Sequence, residues 1–292
     1  MDEQILQNKQ KKTNLILSNV YNLPALSTTM MEVTKMLDNP STNTATLSKI
    51  IGKDQGIATK ILSIANSPLY GLRRRVSTID FAILVIGFLE IKNIILALSM
   101  MESFRNKTDK FLNQKEFWLH SMITGNAAKR IADDLGYSKT GEAFIGGLLH
   151  DLGIPVIHKY FHTAFVEIVN QIKSNGGNYL DTEIEHLGYN HMEIGKFLSE
   201  KWNLPSVLCE IIEFHETPSK ANENKELIAI VHLADYATQK LQIGSFYWDE
   251  GLKLDPEVAN ILHFESIEKV EEFIDKYKEL FEDEINNSGN LL

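Results

Sequence analysis

The stretch GGLLHDLG at residues 146–153 decides the reading of this 292-residue chain. It sets an imidazole, His150, beside a carboxylate, Asp151, in a run otherwise apolar enough to be buried. Burying both is costly unless something satisfies them. A divalent cation would do so, because neutral imidazole nitrogen and carboxylate oxygen suit iron, manganese or zinc. Alone, one such pair is weak evidence.

Its weight grows with what lies on either side. His120 sits in EFWLHSMITG (116–125), His191 in GYNHMEIG (188–195), His215 in EFHETP (213–218) and Asp235 in VHLADYA (231–237). Each falls on or at the end of a predicted helix, so His120, His150, Asp151, His191, His215 and Asp235 could converge in the core of a helical bundle, a usual place for a metal site. Glu116 lies four residues before His120 and would share its helical face, either as a further ligand or as an exposed neighbour. The other histidines, His158, His162, His186, His232 and His263, are read as satisfied polar or surface side chains. His232, three residues before Asp235, is expected to hydrogen-bond around the site rather than to coordinate.

Helices are predicted almost throughout. Apolar residues recur at spacings of three and four, as in Met31, Val33, Met36 and Leu37 or Ile211, Ile212 and Phe214, and strict alternation is scarce. The fold class is therefore all-α. Turn chemistry punctuates the chain at DNPSTN (38–43), NSP (66–68), RNKTDK (105–110), SNGGN (174–178) and ETPSK (216–220). Asn190, followed three residues on by Glu193, is a capping-box pattern that places His191 in the first turn of a helix. All nine histidines lie at or beyond His120, and the sequence turns polar between Ser103 and Lys115. A boundary near residue 110 is expected, with a helical N-terminal subdomain over 1–110 and the histidine-bearing subdomain over 111–292. The stretch SIEKVEEFIDKYKELFEDEINNSGNLL reads as one acidic amphipathic helix and a polar tail.

Charge narrows the function. The formal net charge is -10, and the basic residues are dispersed apart from Arg73, Arg74 and Arg75, which read as a solvated loop, so general nucleic-acid binding is disfavoured. The N-terminus lacks the apolar run of a signal peptide, and the apolar stretch 79–101 is broken by Asp80, Glu90 and Lys92, so a cytoplasmic protein with no membrane partner is expected. The single cysteine, Cys209, sits in an apolar helical pattern and reads as core, as do Phe117, Trp118 and Trp202.

The order His120, His150-Asp151, His191, His215, Asp235 resembles the HD superfamily of metal-dependent phosphohydrolases. The N-terminal half sharpens this. LPALSTTMMEVTKMLDNPSTNTATLSKIIGKDQGIATKILSIANSPLYG (23–71), followed by VSTIDFAILVIG (76–87), resembles the HDOD family, with an aspartate-led helix at Asp54 and an Asn-Ser-x-x-Tyr-Gly turn over 66–71. The resemblance covers roughly residues 20 to 245. It implies an HD-like helical core with an N-terminal helical subdomain packed on it, in a bacterial signal-transduction or regulatory protein.

The similarity to HD-GYP phosphodiesterases is more distant. Their His-His pair appears here as Phe214-His215, the lysine after their HD-x-Gly is Ile154, and the Gly-Tyr-Pro motif is absent. By resemblance, Asp151 would bridge two ions about 3.5 to 4 Å apart, with His120, His150 and Asp235 on one and His191 and His215 on the other. A single ion held by His120, His150, Asp151 and Asp235 is the simpler alternative. Iron or manganese is expected ahead of zinc or magnesium. The expected function is a regulatory protein with a retained metal site and a signalling-protein partner. The rival is an active phosphohydrolase, with Asp151 as its metal-bridging residue, acting on a phosphorylated small molecule such as a nucleotide or cyclic dinucleotide.

Overall fold

The computed structural model describes residues 3–20, 32–33, 36, 39, 41–68, 72, 74–103 and 109–288, and among them there is no strand. The expected helix around Met31–Leu37 falls largely outside the described residues, as do Leu69, Tyr70, Gly71 and Arg73. Helix α1 spans Glu3–Ser18, and α2 (Thr44–Ile51), α3 (Gln55–Ala65), α4 (Ile79–Ile86) and α5 (Phe88–Ser103) follow. The bundle that carries the histidines comprises α6 (Gln114–Asp134), α7 (Thr140–Leu149), α8 (Gly153–Tyr160), α9 (His162–Asn175), α10 (Tyr179–Leu187), α11 (His191–Lys201), α12 (Ser206–Phe214) and α13 (Lys225–Leu241). Three short helices close the chain, α14 (Val258–Ile261), α15 (Ile267–Asp275) and α16 (Lys278–Ser288).

Local chemistry sets the helix starts. Asp54 caps α3 by accepting the Ile57 N–H at 3.1 Å, as the aspartate-led pattern implies. Asn190 accepts the Glu193 N–H and Glu193 accepts the Asn190 N–H, so the capping box is complete and fixes the first turn that holds His191. The single acidic helix expected near the C-terminus is instead two, because the chain breaks at Lys276 and Tyr277, where Tyr277 is buried and its hydroxyl donates to Asp134.

Close backbone approaches position the site. Helices α6 and α7 pack along each other, and α8 crosses α11. A Cβ on Gly147 would lie 2.8 Å from the Thr124 carbonyl oxygen and 2.9 Å from the Gly125 Cα. A Cβ on Gly153 would lie 1.9 Å from the carbonyl oxygen of His191. These glycines let α6 and α7, then α8 and α11, meet backbone to backbone. That brings His120, the His150-Asp151 pair and His191 together.

Two elements distant in sequence pack onto this bundle. Helix α1 lies on α10: Thr13 donates to the Leu187 carbonyl at 2.7 Å, Gln10 to the Gly188 carbonyl at 3.1 Å, and Lys9 to Glu185. At the other end, buried Glu284 of α16 accepts from Ser67 at 2.5 Å and from Asn126 of α6 at 2.9 Å. Ser67 belongs to the turn whose Asn66 amide closes onto Val76 through both of its polar atoms. Cys209 is buried, and Arg74 and Arg75 are exposed.

Candidate metal centre

The six side chains singled out by their order, His120, His150, Asp151, His191, His215 and Asp235, come together, each at most 1% exposed. The histidines are held alike. Nδ1 of His120 donates to the Gly244 carbonyl at 2.9 Å, that of His150 to Gly147 at 2.7 Å, and that of His215 to Ile212 at 3.1 Å. A carbonyl only accepts, so the proton sits on Nδ1 in all three. Nδ1 of His191 lies 3.0 Å from the Glu183 carboxylate, which also takes the His191 backbone N–H at 2.7 Å. The Nε2 of His120, His150 and His215 is thereby left as a lone pair aimed inward, and that of His191 points the same way.

Those lone pairs meet each other and the carboxylates. His120 Nε2 is 3.3 Å from His150 Nε2 and 3.4 Å from Asp235 Oδ1. Asp151 Oδ2 is 3.4 Å from His150 Nε2, while its Oδ1 is 3.4 Å from His215 Nε2 and 3.5 Å from His191 Nε2. One carboxylate thus turns an oxygen to each pair of histidines. Two ligands about 2.1 Å from one ion stand roughly 3.0 to 3.4 Å apart at octahedral to tetrahedral angles. The spacings found here are close to that range and long for hydrogen bonds.

Unpartnered atoms make the same point. Both oxygens of Asp151, both of Asp235, Nε2 of His191 and of His215, and Oδ2 of Asp249 are buried without a hydrogen-bond partner. Orphaned buried polar groups cost about 1 to 3 kcal/mol each, more when charged. Burial, then the Asp151 carboxylate, drives the pKa of Asp235 and of Asp249 well above the usual carboxylate range. At Asp151 burial pushes the same way, but His150, His215 and His191 outweigh it and hold the carboxyl well below that range. Burial lowers His150 to about 3. At His191 burial opposes charge, yet Glu183, Asp151 and Glu216 outweigh it and raise the pKa to about 10. A divalent cation held among these groups would counter the repulsion between the buried carboxylates. The donor set, imidazole nitrogen and carboxylate oxygen, fits a divalent transition metal.

Some residues fall elsewhere than the sequence suggests. Glu116 is exposed in the first turn of α6, where Asn113 caps its N–H, while His120 one turn on is fully buried; the pair shares a helical face, but Glu116 lies at its solvent end. His232 takes the bridging role expected of it, donating Nδ1–H to the His215 carbonyl at 2.7 Å and accepting the Asp255 N–H at 2.9 Å. His158 and His162 both turn Nε2 to Asp109 Oδ2, at 2.9 and 2.6 Å. This is a partnership their spacing alone does not show, since Asp109 is about fifty residues away.

Three acidic residues at the site went unseen in the sequence. Glu183 orients His191, and Glu216 stands 3.7 Å from His191 Nε2. Asp249 stands 3.4 Å from His120 Nε2. Glu216 adjoins His215 and could have been flagged on that ground. Asp249 lies in a single 3-10 turn, Tyr247–Asp249, where no helical period points to it.

With this geometry in hand, the match to known proteins is specific. The family model for the HDOD domain matches residues 23–218. The chain belongs to the HDOD family. An uncharacterized protein of Treponema pallidum (strain Nichols) is 26% identical to it over 224 residues, which are 75% of this chain and 43% of that protein, so the chain spans less than half the length of this curated relative. The crystal structure of an HDOD domain protein of unknown function from Geobacter sulfurreducens superimposes with a TM-score of 0.75 at 21% identity, covering 97% of this chain and 99% of that one. A Marinobacter aquaeolei VT8 protein, named provisionally for signal transduction, superimposes with a TM-score of 0.68 at 18% identity over 98% of this chain and 66% of its own. At these identities the likeness of the solved structures concerns the HDOD fold. Among the described residues no helix is long and apolar enough to cross a membrane.

Proposed function

We propose that this HDOD protein is a signal-transduction module whose HD-type site holds one or two divalent metal ions. The observation that carries the metal reading is the uniform orientation of the four histidines, each with Nδ1 engaged and Nε2 turned into a group of buried carboxylates without partners. One ion fits His120, His150, Asp151 and Asp235, and a second fits Asp151, His191 and His215. Iron and manganese suit a set rich in carboxylate and imidazole with no thiolate.

Two observations favour a regulatory over a hydrolytic role. The ligands are shut from solvent. Among the described residues no lysine or arginine donates to the unpartnered oxygens of Asp151, Asp235 and Asp249, so none of those residues grips a phosphate from that position. The helical surface is then what a partner protein would meet. The provisional name of the Marinobacter protein agrees with this role.

The rival reading, a phosphohydrolase acting on a phosphorylated small molecule, draws on the bridging geometry of Asp151. An ion pair at that carboxylate would supply an activated water. One substitution separates the two readings. In the regulatory case Asp151→Ala lowers stability and the wild type turns over nothing in a phosphoester panel with iron or manganese present. Turnover abolished by Asp151→Ala in a protein that stays folded would replace the regulatory reading by the hydrolytic one.

A further inference from the structure

The segment from Ile243 to Gly251 leaves α13 through Gln242 and Gly244, both at positive φ (57° and 69°), and turns back across the metal centre. Its first contact is with a histidine of the site: the Gly244 carbonyl takes the His120 Nδ1–H, and the Phe246 ring stacks on the same imidazole, 6.0 Å between centroids and 27° between planes. Its far end reaches the other histidine pair. Trp248 stacks 4.2 Å from Tyr179 and 4.7 Å from Phe165, and its Nε1–H donates at 2.6 Å to Glu183, the carboxylate that orients His191.

Between these anchors Asp249 points inward. It is 4% exposed, and its Oδ2 has no hydrogen-bond partner while standing 3.4 Å from His120 Nε2. That imidazole already holds its proton on Nδ1, so its Nε2 can donate nothing to a carboxylate. A separation of 3.4 Å is long for an O–H···N bond and suits two ligands of one ion. Asp249 also groups with His120 and Asp151 as ligand atoms within reach of a common point.

Resting on the metal reading above, we infer that Asp249 is a further protein ligand of the ion at His120, and that the strap 243–251 closes that ion's outer side. A water or a phosphoester oxygen would reach an ion held there only with Asp249 displaced, and that displacement would draw Trp248 out of its stack between Tyr179 and Phe165. The strap also touches the second ion's environment through Glu183, so one movement would open both halves of the site.

The test uses the full chain, with Mn(II) as the probe. Affinity is measured by titration, and release by the rate of transfer to excess EDTA. Asp249→Asn preserves shape and removes the charge. It should weaken Mn(II) binding at least about tenfold and speed release by a similar factor. In metal-free buffer it should be as stable as the wild type, because the amide keeps the shape of a buried side chain whose Oδ2 has no hydrogen-bond partner to lose. A merely structural Asp249 would give the opposite, lower stability and unchanged release.

Trp248→Phe keeps the stacked ring and loses the bond to Glu183, and it too should release Mn(II) faster. Wild-type affinity and release in Asp249→Asn would overturn the assignment of Asp249 as a ligand. Wild-type release in Trp248→Phe would overturn the strap as the gate. If the wild type itself binds no Mn(II), iron or zinc, the parent metal reading fails, an outcome distinct from both.

Discussion

Replacing Gly153 by alanine puts the geometry of the proposed metal centre to a quantitative trial. The added Cβ would lie 1.9 Å from the His191 carbonyl oxygen, 2.6 Å from its carbonyl carbon and 2.9 Å from its Cα. A carbon and an oxygen in tolerable contact stand about 3.3 Å apart, so α8 and α11 must separate by about 1.4 Å. The obstacle is backbone on both sides, so no side chain can swing away. Asp151 Oδ1 and His191 Nε2 are 3.5 Å apart. Two ligands of one ion can be at most about 4.2 Å apart, twice a bond of about 2.1 Å.

Half of the forced separation, taken along the Asp151–His191 direction, already reaches that limit. The second ion should therefore be lost or bound about 10- to 100-fold more weakly, the penalty typical of disturbing a ligand's support. The first ion, held by His120, His150 and Asp235 on other helices, should be retained. Metal content by elemental analysis, together with a competitive chelator titration, reads both sites. If Gly153→Ala carried the wild-type number of ions at wild-type affinity, the proposed α8–α11 contact would not set the position of His191.

Other consequences follow from the same arrangement. Glu183→Gln keeps the volume but weakens the acceptor for His191, and should lower affinity for the second ion about 10-fold or more in the same titration, with helix content by circular dichroism unchanged. Ion binding at a thousandfold excess over Kd stabilises the fold by about 4 kcal/mol; with an unfolding entropy of about 2 cal/mol/K per residue, thermal unfolding should move up by about 7 °C on loading. Ser67→Ala removes a donor from buried Glu284 and should cost about 1 to 3 kcal/mol in urea denaturation, loosening α16 from the turn at Asn66.

His232 gives a pH test. Burial first lowers its pKa to about 4, against about 6.5 in the unfolded chain. The unfolded state therefore binds the extra proton between these values, and stability falls as pH drops from about 6.5 to about 4, by about 3 kcal/mol in all. His232→Gln should flatten that part of the urea-midpoint profile, and an equally steep profile in the variant would refute the assignment.

Much of this is legible in the sequence. The all-α class and the place of His120, His150, Asp151, His191, His215 and Asp235 could be read because each sits in a periodic helical segment whose apolar face must point to the core. Asn190 and Glu193 even announced the turn that holds His191. What escaped the sequence has local causes. Glu116 shares a spacing with His120, but the N-cap at Asn113 sets it in the exposed first turn. Asp249 contributes from a loop, where periodicity carries no information. Asp109 meets His158 and His162 only through tertiary packing, and the C-terminal helix is cut at Tyr277 because that ring turns into the core toward Asp134.

The most direct trial of the central claim is elemental analysis of the full chain purified without chelator, beside Asp151→Ala prepared in the same way. The account predicts one or two equivalents of a divalent transition metal per wild-type chain and a near-complete loss in Asp151→Ala, because that carboxylate serves both pairs of histidines. A wild-type protein that carries no metal, and whose unfolding temperature does not move on adding iron, manganese or zinc, would contradict it.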